Sequence, residues 1–267
     1  MTQNPYATPQ ADSSPPLKVR KIGRHHSPYG SYREIGWLHY TVVGLLLAGV
    51  GVAAAQIITI EQINEKMRTY DIETGDLTSI ENLERTSGGI AMMSGAVMLF
   101  TFIFWCIWKN KSTKNAWLFY SRSGVRGIGT SEPQTPGWAV GFYFIPIVQF
   151  WKPFQAMAFI RDQVSAQVKT GLLLGFWWTA WLIWTIYSRV ANKFNDSVDT
   201  IEGVIAHNEQ AQVGALILIV TSPLAAAVIH QLSMGQKRAA KAMADEAARP
   251  PIDPSIENGW KHALPPV

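Results

Sequence analysis

Four stretches without a single charged side chain constrain this chain more than any other feature. They cover residues 35–60, 86–108, 170–188 and 210–236. A hydrocarbon core of about 30 Å is crossed by about 20 apolar helical residues, so each stretch is a candidate span. Lipid admits only helices or closed barrels across its core. The apolar runs are continuous rather than alternating, which selects helices. A fifth charge-free stretch, 133–151, is interrupted by Pro136, Gly137, Gly141 and Pro146.

Charge fixes the threading. Ahead of the first stretch, Lys18, Arg20, Lys21, Arg24 and Arg33 outweigh Asp12 and Glu34. Between the first two, Glu61, Glu65, Asp71, Glu73, Asp76, Glu81 and Glu84 outweigh Lys66, Arg68 and Arg85. The central connection, from Lys109 to Lys169, is strongly basic, with only Glu132 and Asp162 opposing. The next connection is acidic, through Asp196, Asp199, Glu202 and Glu209, and Lys237, Arg238 and Lys241 follow the last stretch. Basic connections stay cytoplasmic. The expected fold class is therefore an all-α integral membrane protein of four transmembrane helices with both termini cytoplasmic. A fifth full span at 133–151 would push Lys237, Arg238 and Lys241 outside. That stretch is instead expected to dip in and return, or to lie along the surface, as a proline-broken re-entrant or interfacial segment over about 133–168 on the cytoplasmic side.

The expected domains are a disordered cytoplasmic N-tail (1–34), the membrane bundle (35–237) and a cytoplasmic C-tail (238–267), helical at first and then disordered. The Pro-rich start carries no early apolar region, so the first span serves as an uncleaved signal anchor. Thr59 to Arg68 is expected to prolong the first helix, with a turn at Asp71 to Gly75. Pro136 and Gly137 are expected to end one element, and an amphipathic helix to run from Phe154 to about Lys169.

The motif content points away from catalysis. The chain has one cysteine, Cys106, which excludes an internal disulfide framework and a multi-cysteine zinc site. No GxxxxGK[ST], HExxH, GxSxG or CxxC occurs. The four stretches hold no Asp, Glu, Lys or Arg, the groups that ion-coupled carriers place in the membrane. His39 and His230 fall at matching depths and could flank a haem, but they read as headgroup-layer residues, and no cofactor or metal is expected. Trp177, Trp181 and Trp184 share a helix face. Gly44 with Ala48 and Gly51 with Ala55 allow close helix packing. Ser222-Pro223 is expected to kink the last span.

From Asn115 the chain reads NAWLFYSRSGVRGIG, then TSEPQTPGWAVGFYFIPIVQFWKPFQAMAFIRDQ. Trp117 beside Arg122 and Arg126 suits the headgroup layer. Trp117, the basic-glycine run from Arg122 to Gly129, Pro136-Gly137-Trp138 through Gly141, Ile145-Pro146 and Pro153-Phe154-Gln155 resemble the bacterial family named domain of unknown function 4328. Similar proteins often carry an Asn where this chain has Gly124. The resemblance implies a multi-pass protein of the bacterial cytoplasmic (inner) membrane and implies no activity. The working surface is expected at Trp117, Arg122, Arg126, Pro136, Gly137, Trp138, Gly141, Pro146, Pro153, Gln155 and Arg161. The expected function is non-catalytic: a scaffold, lipid-responsive or regulatory protein, with a transporter or channel for a small neutral or lipidic solute as the alternative. Expected partners are membrane lipids and a second copy or another membrane protein, not nucleic acid. Reporter fusions after Lys111 and after Lys237 should read cytoplasmic, and fusions near Asp76 and Glu202 external; a cytoplasmic signal at Asp76 would overturn the threading.

Overall fold

The computed structural model describes residues 28–69, 78–123, 131–191 and 200–249. Within them 86% of residues are helical and none is in a strand. The order is α1 (Gly36–Arg68), α2 (Thr78–Ser123), α3 (Pro136–Gly141), α4 (Lys152–Gln163), α5 (Gly171–Ala191) and α6 (Ile201–Ala247). Residues 1–27, the turn expected at Asp71 to Gly75, Arg126 and the end of the C-tail lie outside the described residues.

Three of the helices, α1, α2 and α6, are long and apolar enough to cross a membrane. The most apolar window of α2 is only 6% buried. Met92, Leu99 and Phe100 all lie open on it. Contiguous apolar surface on that scale does not face water in a stable monomer, so these helices fit a membrane protein. The fourth candidate, α5, has 21 residues and is not one of these three. Trp177, Trp178, Trp181 and Trp184, with Thr179, Thr185, Tyr187 and Ser188, dilute its aliphatic content.

The helices outrun their apolar stretches. α1 continues through the helix-forming Glu61 to Arg68. α2 does not end at the headgroup-like residues; it carries Lys109 to Ser123 as one unbroken rod. α6 starts at an N-cap, the Thr200 hydroxyl accepting from the Gly203 N–H at 3.0 Å. It runs 47 residues without interruption through Pro223. Near that proline the Thr221 hydroxyl donates to the Ile217 carbonyl at 2.8 Å.

α1 lies between α2 and α6, and α5 leans on α6. Leu38, Val42, Trp108, Ile229 and Leu232, all fully buried, make the core at one end of the bundle. At the opposite end α1 and α6 are tied by polar contacts. Asn208 donates to the buried Asn64 at 2.8 Å, Arg68 pairs with Glu209 at 3.0 Å, and Gln212 donates to Glu61 at 3.1 Å.

Three sequence expectations need correction. The N-tail is not loose up to residue 34: from Pro28 a strap lies on α2, with Tyr29 against Trp117 and Tyr32 against Phe119. Gly30, at φ +82°, takes the left-handed conformation that turns the chain into this strap. Burial, and then the Glu34 carboxylate, raise the Tyr32 phenol above its ordinary value. Pro136 does not end an element. It opens α3, because its missing N–H costs nothing in a first helical turn. And α4 stops at Gln163 rather than near Lys169, where Val164 begins a turn that packs on α6.

Gly235 makes that last contact possible. A β-carbon there would stand 3.0 Å from Val168 and 3.1 Å from Val164 Cβ, an atom tied to its backbone. A β-carbon at Gly51 would meet nothing within 4 Å. Gly235→Ala should therefore destabilise the purified protein by about 1–3 kcal/mol, as overpacking does, while Gly51→Ala should not. Thermal unfolding of both variants in the same detergent checks the contrast.

Candidate functional site

The broken segment folds as a hairpin alongside α2. Thr135 caps α3, its hydroxyl facing the Trp138 N–H at 3.5 Å. Gly141 lets the Trp138 ring come close, since a β-carbon there would lie 3.4 Å from it. A 3-10 turn, Phe142–Phe144, then gives way to extended Ile145, and a second 3-10 turn covers Val148–Phe150. The Gln149 side chain ties them by donating to the Pro146 carbonyl at 3.1 Å. Pro153 sits in the first turn of α4, where it needs no partner for a nitrogen.

Three contacts set the hairpin's course. Trp117 Nε1 donates to the Gln134 carbonyl at 2.8 Å. Phe144 meets Phe102 edge-on, ring centroids 5.7 Å apart. Lys109 Nζ donates to the Pro153 carbonyl at 3.3 Å. At 1.5 Å per residue, the segment descends about 22 Å along α2 from Trp117 to Phe102 and returns about 10 Å to Lys109. Glu132 and Lys152 approach to 3.9 Å across the mouth, an ion pair between an exposed carboxylate and a half-buried lysine that adds little.

Lys109 is fully buried and has no carboxylate partner among the described residues. Burying an unpaired ammonium costs several kcal/mol. The Pro153 carbonyl and the Tyr143 ring, its centroid 6.0 Å away, offset only part of that. Below Lys109 an aromatic chain joins α2, α5 and the hairpin. Trp105 meets Trp177 at 5.4 Å, Trp178 stacks on Trp181 at 4.6 Å, and Tyr143 and Phe154 abut Trp181 and Trp178. Trp184 stands apart from this chain and faces α6.

Above Lys109 a polar seam binds strap, α2 and α6. Asn115 grips one residue of the strap with both ends of its amide. Its Oδ1 accepts from Arg33 N–H at 2.9 Å and its Nδ2 donates to the Arg33 carbonyl at 2.9 Å. Nδ2 also reaches Gln236 Oε1 at 3.2 Å, and Gln236 Nε2 donates to the Ser112 carbonyl at 3.2 Å. Trp108 Nε1 donates to Ser233 Oγ at 2.9 Å. Sequence reasoning missed Lys109, Asn115, Ser233 and Gln236. The available signal was an amide or hydroxyl on an apolar helix, which marks interhelical hydrogen bonding.

The expected surface residues do not form one patch. Pro136 and Pro153 are buried in the hairpin, the Gln155 side-chain oxygen is buried without a partner among the described residues, and Trp117 is half-buried. Gly137, Trp138, Pro146 and Arg122 are exposed. Gly141 is half-buried under the Trp138 ring. Arg161 is not a free cation: its Nε and Nη2 both donate to Asp162 Oδ1, at 2.9 and 2.6 Å, and Asp162 Oδ2 accepts from Ser131 N–H at 3.1 Å. His39 and His230 do meet, ring centroids 5.5 Å apart, and neither nitrogen of the buried His39 has a hydrogen-bond partner among the described residues. A metal–imidazole bond is about 2.1 Å, so iron between two axial rings would hold them farther apart than this. No group of three or more metal-binding side chains occurs among the described residues.

A family model described as Domain of unknown function (DUF4328) matches residues 68–234, more than half of the chain. The chain belongs to that family. No curated protein and no solved structure matches this DUF4328 chain. The matched region holds the hairpin, Lys109, Asn115 and His230; the strap, His39 and Gln236 fall outside it. The seam of this DUF4328 protein thus joins residues of the family region to flanking ones. Asn115→Ala should release the strap at a cost of about 1–3 kcal/mol. Trypsin should then cut after Arg33 at least about tenfold faster than in the wild type, with the bundle intact; equal cutting rates would mean the amide does not hold the strap.

Proposed function

We propose that this DUF4328 protein is a non-catalytic, lipid-responsive scaffold of the bacterial inner membrane. In this reading α1, α2, α5 and α6 all span the bilayer, with both termini cytoplasmic, and the hairpin is re-entrant from the cytoplasmic leaflet. α5 reaches about 31 Å at 1.5 Å per residue, enough to cross, and its tryptophans suit a helix lodged against protein on one side. The carrying observation is the hairpin's two-sidedness. Its inner side is bonded to α2, whereas Trp138, Phe144, Ile147 and Trp151 stand 55, 67, 72 and 43% exposed. Aromatic and aliphatic side chains projecting beside Lys152 suit the acyl–headgroup boundary. Its polar backbone is turned into short helices and 3-10 turns, and non-helical backbone at membrane depth is tolerated when covered by protein.

The alternative, a carrier or channel for a small neutral or lipidic solute, has less support. The end of the α1–α6 interface holding His39 and His230 is filled by Leu38, Val42, Ile229 and Leu232 rather than left open. Cysteine scanning tests the reading in a Cys106→Ser background, with single cysteines from Gly137 to Phe154 in reconstituted vesicles. Labelling from the cytoplasmic side should be strong at both ends and weak from Tyr143 to Ile145, with none from outside. Anionic lipid should lower the rates at positions 138 and 151 severalfold. Rates that ignore lipid composition would sink the lipid-responsive part, and external labelling would show a full span.

A further inference from the structure

Trp37, in the first turn of α1, lays its ring across α2. The ring meets Phe104 edge-on, centroids 6.5 Å apart, and the Lys111 ammonium stands 5.8 Å from its centroid. Phe104 and Lys111 are two helical turns apart, so one ring spans an apolar contact and a cation. Trp37 nevertheless stays mostly exposed, as does Tyr40 one turn along α1. Ile107, between Phe104 and Lys111, is exposed too, and Lys114 stands half-exposed one turn beyond Lys111. At 3.6 residues per turn, Phe104, Ile107, Lys111 and Lys114 share a face of α2 roughly opposite to Phe102 and Lys109, which hold the hairpin. The flank of α1 and α2 is thus a shallow groove, apolar at one end and doubly cationic at the other.

The two cations are uncommitted. Neither Lys111 nor Lys114 is ion-paired among the described residues. Glu34, the acidic residue just ahead of Trp37, lies against Gly36 and beside Tyr32 instead. A ring face answers one side of an ammonium and leaves donors free. Side chains at i and i+3 are neighbours on a helix, so both lysines can reach one anion. The exposed aromatic and aliphatic groups next to them call for an occupant that is apolar below its charge. Free phosphate would leave that apolar surface uncovered, whereas a phospholipid covers it.

We propose that this groove seats an anionic phospholipid, a phosphodiester of the phosphatidylglycerol class. Lys111 and Lys114 hold the phosphate, the Trp37 ring steadies Lys111 and lies against the ester region, and an acyl chain runs over Ile107 and Phe104. The site deepens the lipid-responsive reading and rests on its placing this end of α1 and α2 in a headgroup layer, but it does not use the hairpin.

The test is native mass spectrometry of the purified full-length protein in detergent, titrated with phosphatidylglycerol and with phosphatidylcholine of the same acyl chains. The wild type should hold phosphatidylglycerol at least about tenfold more tightly, since each cation at a membrane surface favours an anionic lipid by about fivefold. Lys111→Gln and Lys114→Gln should each weaken phosphatidylglycerol about fivefold and phosphatidylcholine less than about twofold. Lys237→Gln removes an exposed cation from α6 at the same end of the bundle, and should change neither lipid by more than about twofold. Inorganic phosphate in large excess should not displace the lipid. Equal losses from Lys237→Gln and Lys111→Gln would show diffuse attraction and overturn the site. Displacement by phosphate would overturn it in favour of a free-anion site, and so would a wild type that does not tell the two lipids apart. Selective binding that depends on Lys111, beside hairpin labelling that ignores lipid, would uphold this site and sink only the hairpin's response.

Discussion

The Asn115 amide is the tie on which one end of this bundle depends. Helices that contact each other through apolar side chains alone can slide and rotate at little cost, because lipid tails offer nearly the same surroundings. A buried amide is different. Each of its donors and acceptors must be answered, so it has one good position. Asn115 answers all of its own with Arg33 and Gln236, and Gln236 passes the constraint to Ser112. Trp108 and Ser233 repeat the tie one layer deeper. These bonds fix the register of α6 on α2 and seat the strap that leads into α1. The core of Leu38, Val42, Ile229 and Leu232 packs around that registered frame.

The hairpin exploits the frame. It presents its carbonyls to side chains that α2 already holds in place, Trp117 at one leg and Lys109 at the other. Lys109 makes this an arrangement with a cost as well as a gain. A lysine amine buried without a carboxylate partner among the described residues is stable only while the hairpin's carbonyl and ring stay in reach. If the hairpin moved away, the lysine could hydrate. Closure of the hairpin is thus opposed by the hydration of one side chain and favoured by the aromatic contacts below it.

Much of this was legible in the chain. The charge-free stretches located the cores of α1, α2 and α6, because continuous apolarity of that length has few other solutions. Pro146 and Pro153 located the break between them. What escaped was of two kinds. Local signals with two meanings were read the wrong way: Pro136 looked like a stop, but Thr135 before it makes it a start. Long-range pairings left no local mark at all. Nothing near Asn115 announces a residue more than a hundred positions away, and Lys109 reads as the charge that ends a span until a distant carbonyl covers it. The expected surface was blurred in the same way, since Arg161 looks like an outward cation in a list of residues and is neutralised by its own neighbour.

α2 combines great length with uneven attachment. Its 46 residues make a rod of about 69 Å. The hydrogen bonds of Trp108, Lys109, Asn115 and Trp117 to other elements lie close together near one end. Mechanically it is a rod pinned by these polar bonds near one end and packed on α1 through apolar side chains along much of the rest. A tilt of one degree about those bonds carries the far end through about 1 Å. Forces on the far end would therefore arrive at the hairpin reduced in travel and multiplied in strength, with Lys109 near the fulcrum.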